Sequence, residues 1–267
     1  MRIYRSIRQI KPESSVLVYE HVQKCLDTYV PTGAYSFLNT FKNAPSSRAT
    51  PKADDTRFRI LEAALALFRK DGFDAATMRD IAREAGVATG AAYYYYPSKD
   101  AIVMDFYQRS CAEMQPKIEA ALEHASGLKA RLQELIRAKL LHFAPNRGVL
   151  RALLRNGADP KHPLSPFSPQ TKEIRDIDIA WFRRILLDCG ARIPRDLESQ
   201  LPGVLWFFQM GVIFFWVTDE SPNQARTEKL LELASKSVAT LIRLSALPLM
   251  RPLRVTVLQI IEIAKGS

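Results

Sequence analysis

The side chains best suited to contact a polyanion lie between Thr77 and Lys99, in the segment TMRDIAREAGVATGAAYYYYPSK. Four consecutive tyrosines, Tyr93 to Tyr96, cannot all point to one side of a helix that turns by about 100° per residue. At least one phenol can therefore donate a hydrogen bond to a phosphate oxygen, a contact that fixes position without reading a base. Lys99 adds a cation at the start of the next helix. These residues predict contacts with a phosphodiester backbone.

Motifs for enzymatic or metal chemistry are missing from the sequence. There is no G-x-S-x-G, H-E-x-x-H, G-x-x-x-x-G-K-[ST] or G-x-G-x-x-G pattern. His124 and His142 stand alone, and Asp176 and Asp178 do not share a helix face, so we expect solvated or locally satisfied groups there. The cysteines are far apart and form no C-x-x-C pair: Cys25, Cys111 and Cys189. We expect no enzyme activity, no metal and no cofactor, and this cysteine usage fits the cytoplasm.

The charge of the chain is strongly positive but unevenly placed. The formal net charge is +10, which suggests a polyanionic partner. Residues 54–105, however, carry seven basic and nine acidic side chains, and none of the residues from Gly86 to Ser98 is charged. Binding of this stretch to a polyanion therefore cannot depend on Lys or Arg side chains within it. Its small residues would instead let the backbone approach base edges closely.

Short helices are predicted to position this segment. From Asp54 apolar residues recur with a period of 3.6, which predicts an amphipathic helix that ends at Asp71-Gly72. Its expected core stripe is Phe58, Leu61, Leu65 and Phe68. Thr77 then starts a second helix as its N-cap, and Asp80 occupies the acidic position of a capping box.

A third short helix is predicted from about Ala88 until Pro97 stops it. Gly86 precedes it at the position where a left-handed residue commonly ends a helix. A helix, a glycine turn and a second helix form the geometry that places the second helix in the DNA major groove.

At these residues the sequence resembles the DNA-binding domain of TetR-family transcriptional regulators. The pieces that carry the resemblance follow one another in unbroken order over residues 54–105: Ile60-Leu61-Glu62-Ala63-Ala64, Leu67-Phe68, Gly72-Phe73, Thr77-Met78-Arg79-Asp80-Ile81-Ala82, Ala85-Gly86-Val87, Gly90-Ala91-Ala92-Tyr93 and Tyr96-Pro97-Ser98-Lys99-Asp100. The resemblance implies a three-helix domain that binds double-stranded DNA.

The family's pattern also implies roles for single residues. The positions that match phosphate contacts are Thr77, Tyr93, Tyr95 and Lys99, and those that match base-edge contacts are Arg79, Thr89, Gly90 and Ala91. Two residues depart from the pattern: Ala88 stands where the family usually has a capping Ser, and Ala92 replaces a common Leu. We expect Thr89 to take over the cap. Because Thr89 reads bases more weakly than a bidentate Arg, we expect DNA shape and methyl contacts to matter.

The rest of the chain also predicts helices, so the fold class is all-α: a three-helix helix-turn-helix domain followed by a helical domain for effector binding and dimerisation. The predicted helices are Lys99–Ala125, Leu128–Phe143, Val149–Asn156, Ile174–Cys189, Pro202–Val217 and Gln224–Leu247, with a Pro-rich loop over Gly157–Pro169. The predicted division is a flexible extension (1–53), the DNA-binding domain (54–105), the helical domain (106–250) and a tail or extra helix (251–267). Within the extension, Arg48 to Lys52 could form a basic arm along DNA phosphates.

Residues Gln200 to Thr218 are uncharged and approach the length of a membrane span. The flanks, Glu198 and Asp219-Glu220, are acidic rather than basic, so we expect a buried core helix and no membrane. The resemblance implies dimerisation through the last two long helices. A set of aromatic residues there is expected to divide between that interface and a ligand pocket: Trp206, Phe207, Phe214, Phe215 and Trp216.

Together these features predict a cytoplasmic, homodimeric transcriptional repressor that binds a pseudo-palindromic operator. The resemblance implies release by a small effector, and the aromatic surroundings favour a lipophilic or aromatic one. The alternatives are a helix-turn-helix binding or scaffolding protein without a specific operator and a membrane-attached regulator.

Overall fold

The computed structural model describes residues 51–157 and 159–265, and all regular structure in those ranges is helical. The all-α prediction is therefore confirmed. The extension predicted over 1–53, with the basic arm from Arg48 to Lys52, lies outside the described residues except for its last three. Those three already belong to the first helix, which begins at Pro51 rather than at Asp54. Proline suits this first position because the backbone N–H that it lacks would have no helical partner there.

The N-terminal part folds as three helices that lead into a fourth. They are α1 (Pro51–Lys70), α2 (Met78–Glu84), α3 (Thr89–Tyr95) and α4 (Lys99–Glu123). Their apolar faces meet in one cluster, the N-terminal core, formed mainly by Ile60, Leu61, Ala64, Leu65, Phe68, Ile81, Ala92, Tyr96, Ile102 and Val103. The stripe predicted for α1 is correct except at Phe58, which is 48% exposed. Ile60, Ala64 and Leu67 are predicted by the same period to widen the stripe; Ile60 and Ala64 are buried, and Leu67 is half-buried.

The remainder consists of six further helices and short 3₁₀ turns. The helices are α5 (Gly127–Phe143), α6 (Arg147–Asn156), α7 (Lys172–Asp188), α8 (Leu201–Thr218), α9 (Ala225–Ser245) and α10 (Arg251–Lys265). The 3₁₀ turns are Ala144–Asn146, Pro222–Gln224 and Pro248–Met250. Most of the predicted ends are within two residues of the observed ones. The segment predicted as a tail or an extra helix contains the helix α10.

A second apolar cluster, the C-terminal core, gathers residues from α4 to α9 around Phe182, Leu205, Trp206 and Trp216. Helix α4 contributes to both cores, with Ile102 and Val103 in the first and Ile118 in the second. The predicted boundary at 105/106 thus falls inside a continuous helix. The division into separate domains stays a prediction.

Helix α8 is the one described helix that by itself is long and apolar enough to cross a membrane. The bent pair Pro222–Ser245 and Pro248–Ile263, which meets at 102°, would add a second span only if both helices were taken as one. Half of the apolar stretch of α8 is buried inside the protein. This burial is what a core helix requires.

Candidate nucleic-acid interface

Helix α2 begins with the capping box that the sequence predicts. The Thr77 hydroxyl accepts a hydrogen bond from the Asp80 backbone N–H at 3.2 Å, and the Asp80 carboxylate accepts one from the Thr77 N–H at 3.3 Å. The Thr77 hydroxyl also donates to this carboxylate at 2.5 Å. These bonds satisfy N–H groups that have no partner within the helix. They fix the N-terminal end of α2, which Thr77 caps.

The turn into α3 uses Gly86 in the left-handed region, at φ +66°. The next residue closes the turn, because its N–H donates to the Ala82 carbonyl at 2.9 Å. The N-cap of α3 is Ala88, and no side chain caps this end. Thr89 is the first helical residue, so the expectation that it takes over the cap is wrong. The reason is positional: the N-cap side chain must precede the helix to reach its first N–H groups.

One face of α3 is exposed and carries no charge. Gly90, Tyr93 and Tyr94 lie at the spacing of one helix turn, and the two tyrosines are 51% and 82% exposed. On the opposite side Ala92 and Tyr96 are buried in the N-terminal core. Such an exposed, uncharged face can approach base edges closely and still offer phenol groups to a phosphate.

The residues predicted to contact DNA occupy both helices and the start of α4. Thr77, Arg79, Gly90 and Tyr93 are exposed, whereas Thr89, Ala91, Tyr95 and Lys99 are half-buried. The fold brings them together in the short span from α2 to the first turn of α4. Their individual roles as phosphate or base contacts stay predictions.

The two arginines of α2 differ in whether they form an ion pair within the described part of the protein. The Arg83 guanidinium forms an ion pair with Asp80 at 2.7 Å. Hydrogen bonds from Thr77, together with Arg83, lower the pKa of the Asp80 carboxyl. Arg79, by contrast, makes no ion pair with any residue that the structure describes. Its guanidinium is thus available to a DNA acceptor.

Lys99 has an internal role that the sequence does not reveal. Its ammonium donates to the backbone carbonyls of Phe73 at 2.6 Å and Asp74 at 3.3 Å, and it lies 4.6 Å from the centre of the Phe73 ring. The lysine thereby ties the first turn of α4 to the loop between α1 and α2. The next residue back, Ser98, caps α4 by accepting from the Ala101 N–H at 3.2 Å.

Sequence reasoning missed Tyr94 as a surface residue of this site. It is the most exposed of the four tyrosines, and its ring packs edge-on against Tyr95 at 5.3 Å. The helical phase could have found it, because Tyr94 lies one turn after Gly90, a residue that the family's pattern places at base edges.

The five aromatic residues predicted for a pocket or a dimer interface separate into two groups. Trp206 and Trp216 are buried in the C-terminal core, whereas Phe214 and Phe215 are half-buried. Phe207 is 60% exposed and stacks on Phe167 at 5.8 Å. The exposed surface among the five therefore comes from the phenylalanines. Two surface hollows of ≈ 430 and ≈ 270 Å³ are lined by other residues, and the assignment of the five stays a prediction.

A buried polar cluster in the C-terminal core was also missed. Lys139, which is 2% exposed, donates to Asp178 at 2.8 Å and to Gln209 at 2.7 Å. The Gln209 amide in turn donates to Asp178 at 2.8 Å. These three residues join α5, α7 and α8. Nothing in the local sequence pairs them, since they lie 31 to 70 residues apart.

Two family models match the chain. The model described as bacterial regulatory proteins of the tetR family matches residues 60–105, and the tetracyclin repressor-like C-terminal domain matches residues 131–255. The HTH-type transcriptional regulator SrpR of Pseudomonas putida is 29% identical over 114 residues, which cover 42% of this chain and 52% of that protein. The uncharacterized HTH-type transcriptional regulator YerO of Bacillus subtilis is 27% identical over 174 residues, 60% of this chain and 57% of that protein. The chain thus spans about half the length of these curated relatives.

A solved structure is similar in fold. It is that of Thermus thermophilus FadR, a TetR family transcriptional repressor in complex with lauroyl-CoA, with a TM-score of 0.52 and 20% identity. The similarity covers 68% of this chain and 92% of that one. The two family models together match more than half of the present chain, in the order in which its helix-turn-helix and its helical C-terminal part occur. The chain therefore belongs to the TetR family of bacterial regulatory proteins.

Proposed function

We propose that the protein is a cytoplasmic, homodimeric transcriptional repressor without enzymatic activity. It binds a pseudo-palindromic operator in double-stranded DNA through α2 and α3. A small lipophilic or aromatic effector, bound in the helical part after residue 105, releases it. The observation that carries the proposal is the exposed, uncharged face of α3, presented beside Thr77 and Arg79 by a capped helix and a glycine turn.

This face is suited to the major groove. The small residues at the start of α3 leave the backbone open to base edges, and the exposed phenols of Tyr93 and Tyr94 can donate to phosphates. Because residues 54–105 carry no positive surplus, we expect these local contacts to matter more than a general attraction. Two copies would place their α3 helices about 34 Å apart, in successive major grooves.

Dimerisation is supported by exposed apolar side chains on the last two long helices of the bundle. They are Val204 and Phe207 on α8 and Leu233, Leu241 and Leu244 on α9. Exposed apolar side chains that form a patch commonly mark a protein contact, and we propose that these five form one. A two-fold interface would use the same surface on both copies, which matches the two-fold symmetry of a pseudo-palindrome.

The effector is inferred from the interior of the C-terminal core. Aromatic and aliphatic side chains dominate it, with one buried polar cluster at Lys139, Asp178 and Gln209. The structurally similar Thermus thermophilus protein was solved with lauroyl-CoA, a ligand with a long apolar chain. An effector acts by binding one conformation of the regulator better than another, and it then weakens operator binding by the same factor.

Fluorescence anisotropy of the full chain tests the central claim. The probes are the upstream intergenic DNA of its own gene and a scrambled duplex of equal length, over a series of salt concentrations. We expect saturable binding to the native duplex that is about a thousandfold tighter than to the scrambled one. Thr89→Ala should change the preference among related sites, because Thr89 lies at the start of α3.

Equal, steeply salt-dependent binding to both duplexes would contradict a site in that region. A selection from random duplexes then decides the matter, because a sequence-specific protein enriches a two-fold motif from such a library. A library that yields no motif would leave a DNA-binding or scaffolding protein without an operator. Membrane attachment would show as protein that needs detergent to remain in solution.

A further inference from the structure

Asp105 is a buried carboxylate on α4, one and a half turns after the helix begins, and the DNA contacts described above do not use it. The residue is 7% exposed. Its carboxylate accepts hydrogen bonds from the Tyr96 hydroxyl at 2.5 Å, from the Arg57 guanidinium at 3.2 Å and from the Arg109 guanidinium at 3.0 Å. Three side chains therefore converge on one acceptor group.

The partners of Asp105 come from different elements. Arg57 lies on α1, Arg109 lies on α4 itself, and Tyr96 is the residue that directly follows α3. The Arg57 Nε also donates to the Tyr96 hydroxyl oxygen, at 3.3 Å. Burial, with the neighbouring Asp105, raises the pKa of the Tyr96 phenol, so its hydroxyl keeps its proton. A proton-bearing phenol is a constant donor to the carboxylate.

Packing alone would not need this arrangement. Tyr96 is almost completely buried in the N-terminal core, where its ring already contributes apolar contact. A buried carboxylate is costly unless it is paired and hydrogen-bonded. What the carboxylate adds is direction, because a hydrogen bond fixes the orientation of its donor, whereas apolar contact is non-directional.

We infer that Asp105 is a positioning residue for DNA binding: through Tyr96 it fixes the C-terminal end of α3 relative to α1 and α4. Tyr93 and Tyr94, the exposed phenols of α3, lie only three and two residues before Tyr96. A rotation of the C-terminal end of α3 would move these two phenols relative to the DNA groove. The inference rests on the proposed DNA-binding function and assigns a role to a residue that cannot itself touch DNA.

The test compares operator affinity, non-specific affinity and stability in the full chain. Asp105→Asn keeps the shape but loses the charge and one acceptor oxygen, and Tyr96→Phe removes only the hydroxyl. We expect each to weaken operator binding by about tenfold or more, the usual effect of losing hydrogen bonds to a buried charge. Binding to scrambled DNA and its salt dependence should not change. The double variant should bind no more weakly than the weaker-binding single variant, because both substitutions act on the same contact.

Arg109→Gln is the matched control. It removes another partner of the same carboxylate, but one that lies on α4 and connects to neither α1 nor α3. We expect operator affinity close to that of the unmodified chain. An effect as large as that of Asp105→Asn would overturn the inference, since the charge balance of the carboxylate rather than the link to α3 would then be responsible.

Hydrogen exchange of the DNA-free protein gives an independent readout. In Asp105→Asn and Tyr96→Phe, amide exchange should accelerate in residues 89–96 and stay unchanged in α8. Unchanged exchange in α3 together with unchanged operator affinity would overturn the inference and leave the proposed function standing. An unmodified chain that selects no operator would overturn the proposed function, and exchange would then decide whether Asp105 still orders α3. Should Asp105→Asn fail to fold, Tyr96→Phe carries the test, because it retains the ring.

Discussion

Lys99 holds the loop between α1 and α2 in place, and its ammonium keeps one further donor. Its ammonium has three N–H donors, and the carbonyls of Phe73 and Asp74 occupy two of them. The third donor remains for a DNA phosphate. The same lysine therefore links the loop before α2 to the start of α4 and is suited to fix the position of the helix-turn-helix on DNA.

Lys99→Ala should have two separable effects. Loss of one phosphate contact should reduce the slope of log affinity against log salt by about one unit and weaken binding to all duplexes alike. Loss of the two carbonyl contacts should lower the melting temperature. Anisotropy titrations from low to moderate salt measure the first effect, and thermal denaturation followed by circular dichroism measures the second.

Lys70→Ala is the control, because it removes the same charge from the exposed end of α1. We expect it to leave both the salt slope and the melting temperature nearly unchanged. If Lys99→Ala lowered the melting temperature but kept the full salt slope, Lys99 would be a structural residue alone and would leave the set of phosphate contacts.

At the scale of single residues, the sequence predicts local features of a helix better than it predicts contacts between residues that are distant in the chain. The capping box of Thr77 and Asp80 follows from spacing alone, and the structure has it. The carbonyl contacts of Lys99 could not be predicted, because they depend on how the loop between α1 and α2 folds back. Thr89 was misplaced because a one-residue shift in the start of a helix exchanges the N-cap for the first helical position.

The junction between α8 and α9 depends on a single buried carboxylate. Asp219 directly follows α8 and accepts hydrogen bonds from the Thr227 N–H at 2.9 Å, the Thr227 hydroxyl at 2.6 Å and the Ser221 N–H at 3.0 Å. Burial acts to raise the pKa of the Asp219 carboxyl, but these hydrogen bonds outweigh it and hold the pKa well below its usual range. The ionised carboxylate thus joins the end of one helix to the first turns of the next.

Asp219→Asn should destabilise the fold in a pH-dependent way. A carboxyl whose pKa is lower in the folded than in the unfolded chain adds stability above the unfolded pKa, near 4, and loses it as the pH falls below that value. The melting temperature of the variant should therefore be several degrees lower than that of the unmodified chain at pH 7. The difference should shrink in acid. Thermal denaturation at pH 7 and at successively lower pH measures it.

Glu220→Gln serves as the comparison, since the neighbouring Glu220 is exposed and pairs only with Arg151 across 3.5 Å. It should change the melting temperature little at any pH. A difference between Asp219→Asn and the unmodified chain that stays constant down to low pH would show that shape, and not the ionised carboxylate, stabilises the junction.

The same contrast applies to whole helices. Hydrophobic periodicity predicts which face of a helix is buried but not which helix packs against that face. Hydrophobic periodicity placed nearly every described helix, because the buried faces recur along the chain. It misassigned Phe58, which is 48% exposed. It could not reveal the cluster of Lys139, Asp178 and Gln209, because periodicity reports which face is buried and not which helix lies opposite.

At the scale of the whole molecule, two apolar cores among the described residues share α4. Ile102 and Val103 belong to the core beside the DNA-contacting helices, and Ile118 belongs to the core in which we propose that the effector binds. This helix continues from one core into the other, with Pro116 inside it, and packs against both. The boundary predicted at 105/106 follows the end of the TetR resemblance, whereas the helix predicted from Lys99 to Ala125 already crosses it.

The proposed dimer can be tested at Phe207 on α8. Phe207 on α8 exposes 60% of its surface, and Leu233, Leu241 and Leu244 on α9 are also exposed. In a two-fold interface each copy buries the same residue, so Phe207→Glu places two unpaired carboxylates in the interface and should cost several kcal/mol. We expect the dimer to dissociate in sedimentation velocity at micromolar concentration. Leu187→Glu, on an exposed site of α7, makes the same change elsewhere and should leave the dimer intact.

Operator binding shows whether dissociation of the dimer changes DNA recognition. A monomer contacts only one half-site, so Phe207→Glu should weaken binding to the full operator strongly and leave binding to an isolated half-site nearly unchanged. A variant that remains dimeric would show that the two copies meet through a different surface, because no stable interface keeps a pair of unpaired charges at its centre. The α10 helix, whose Leu253 and Ile260 are also exposed, would then be the next surface to substitute.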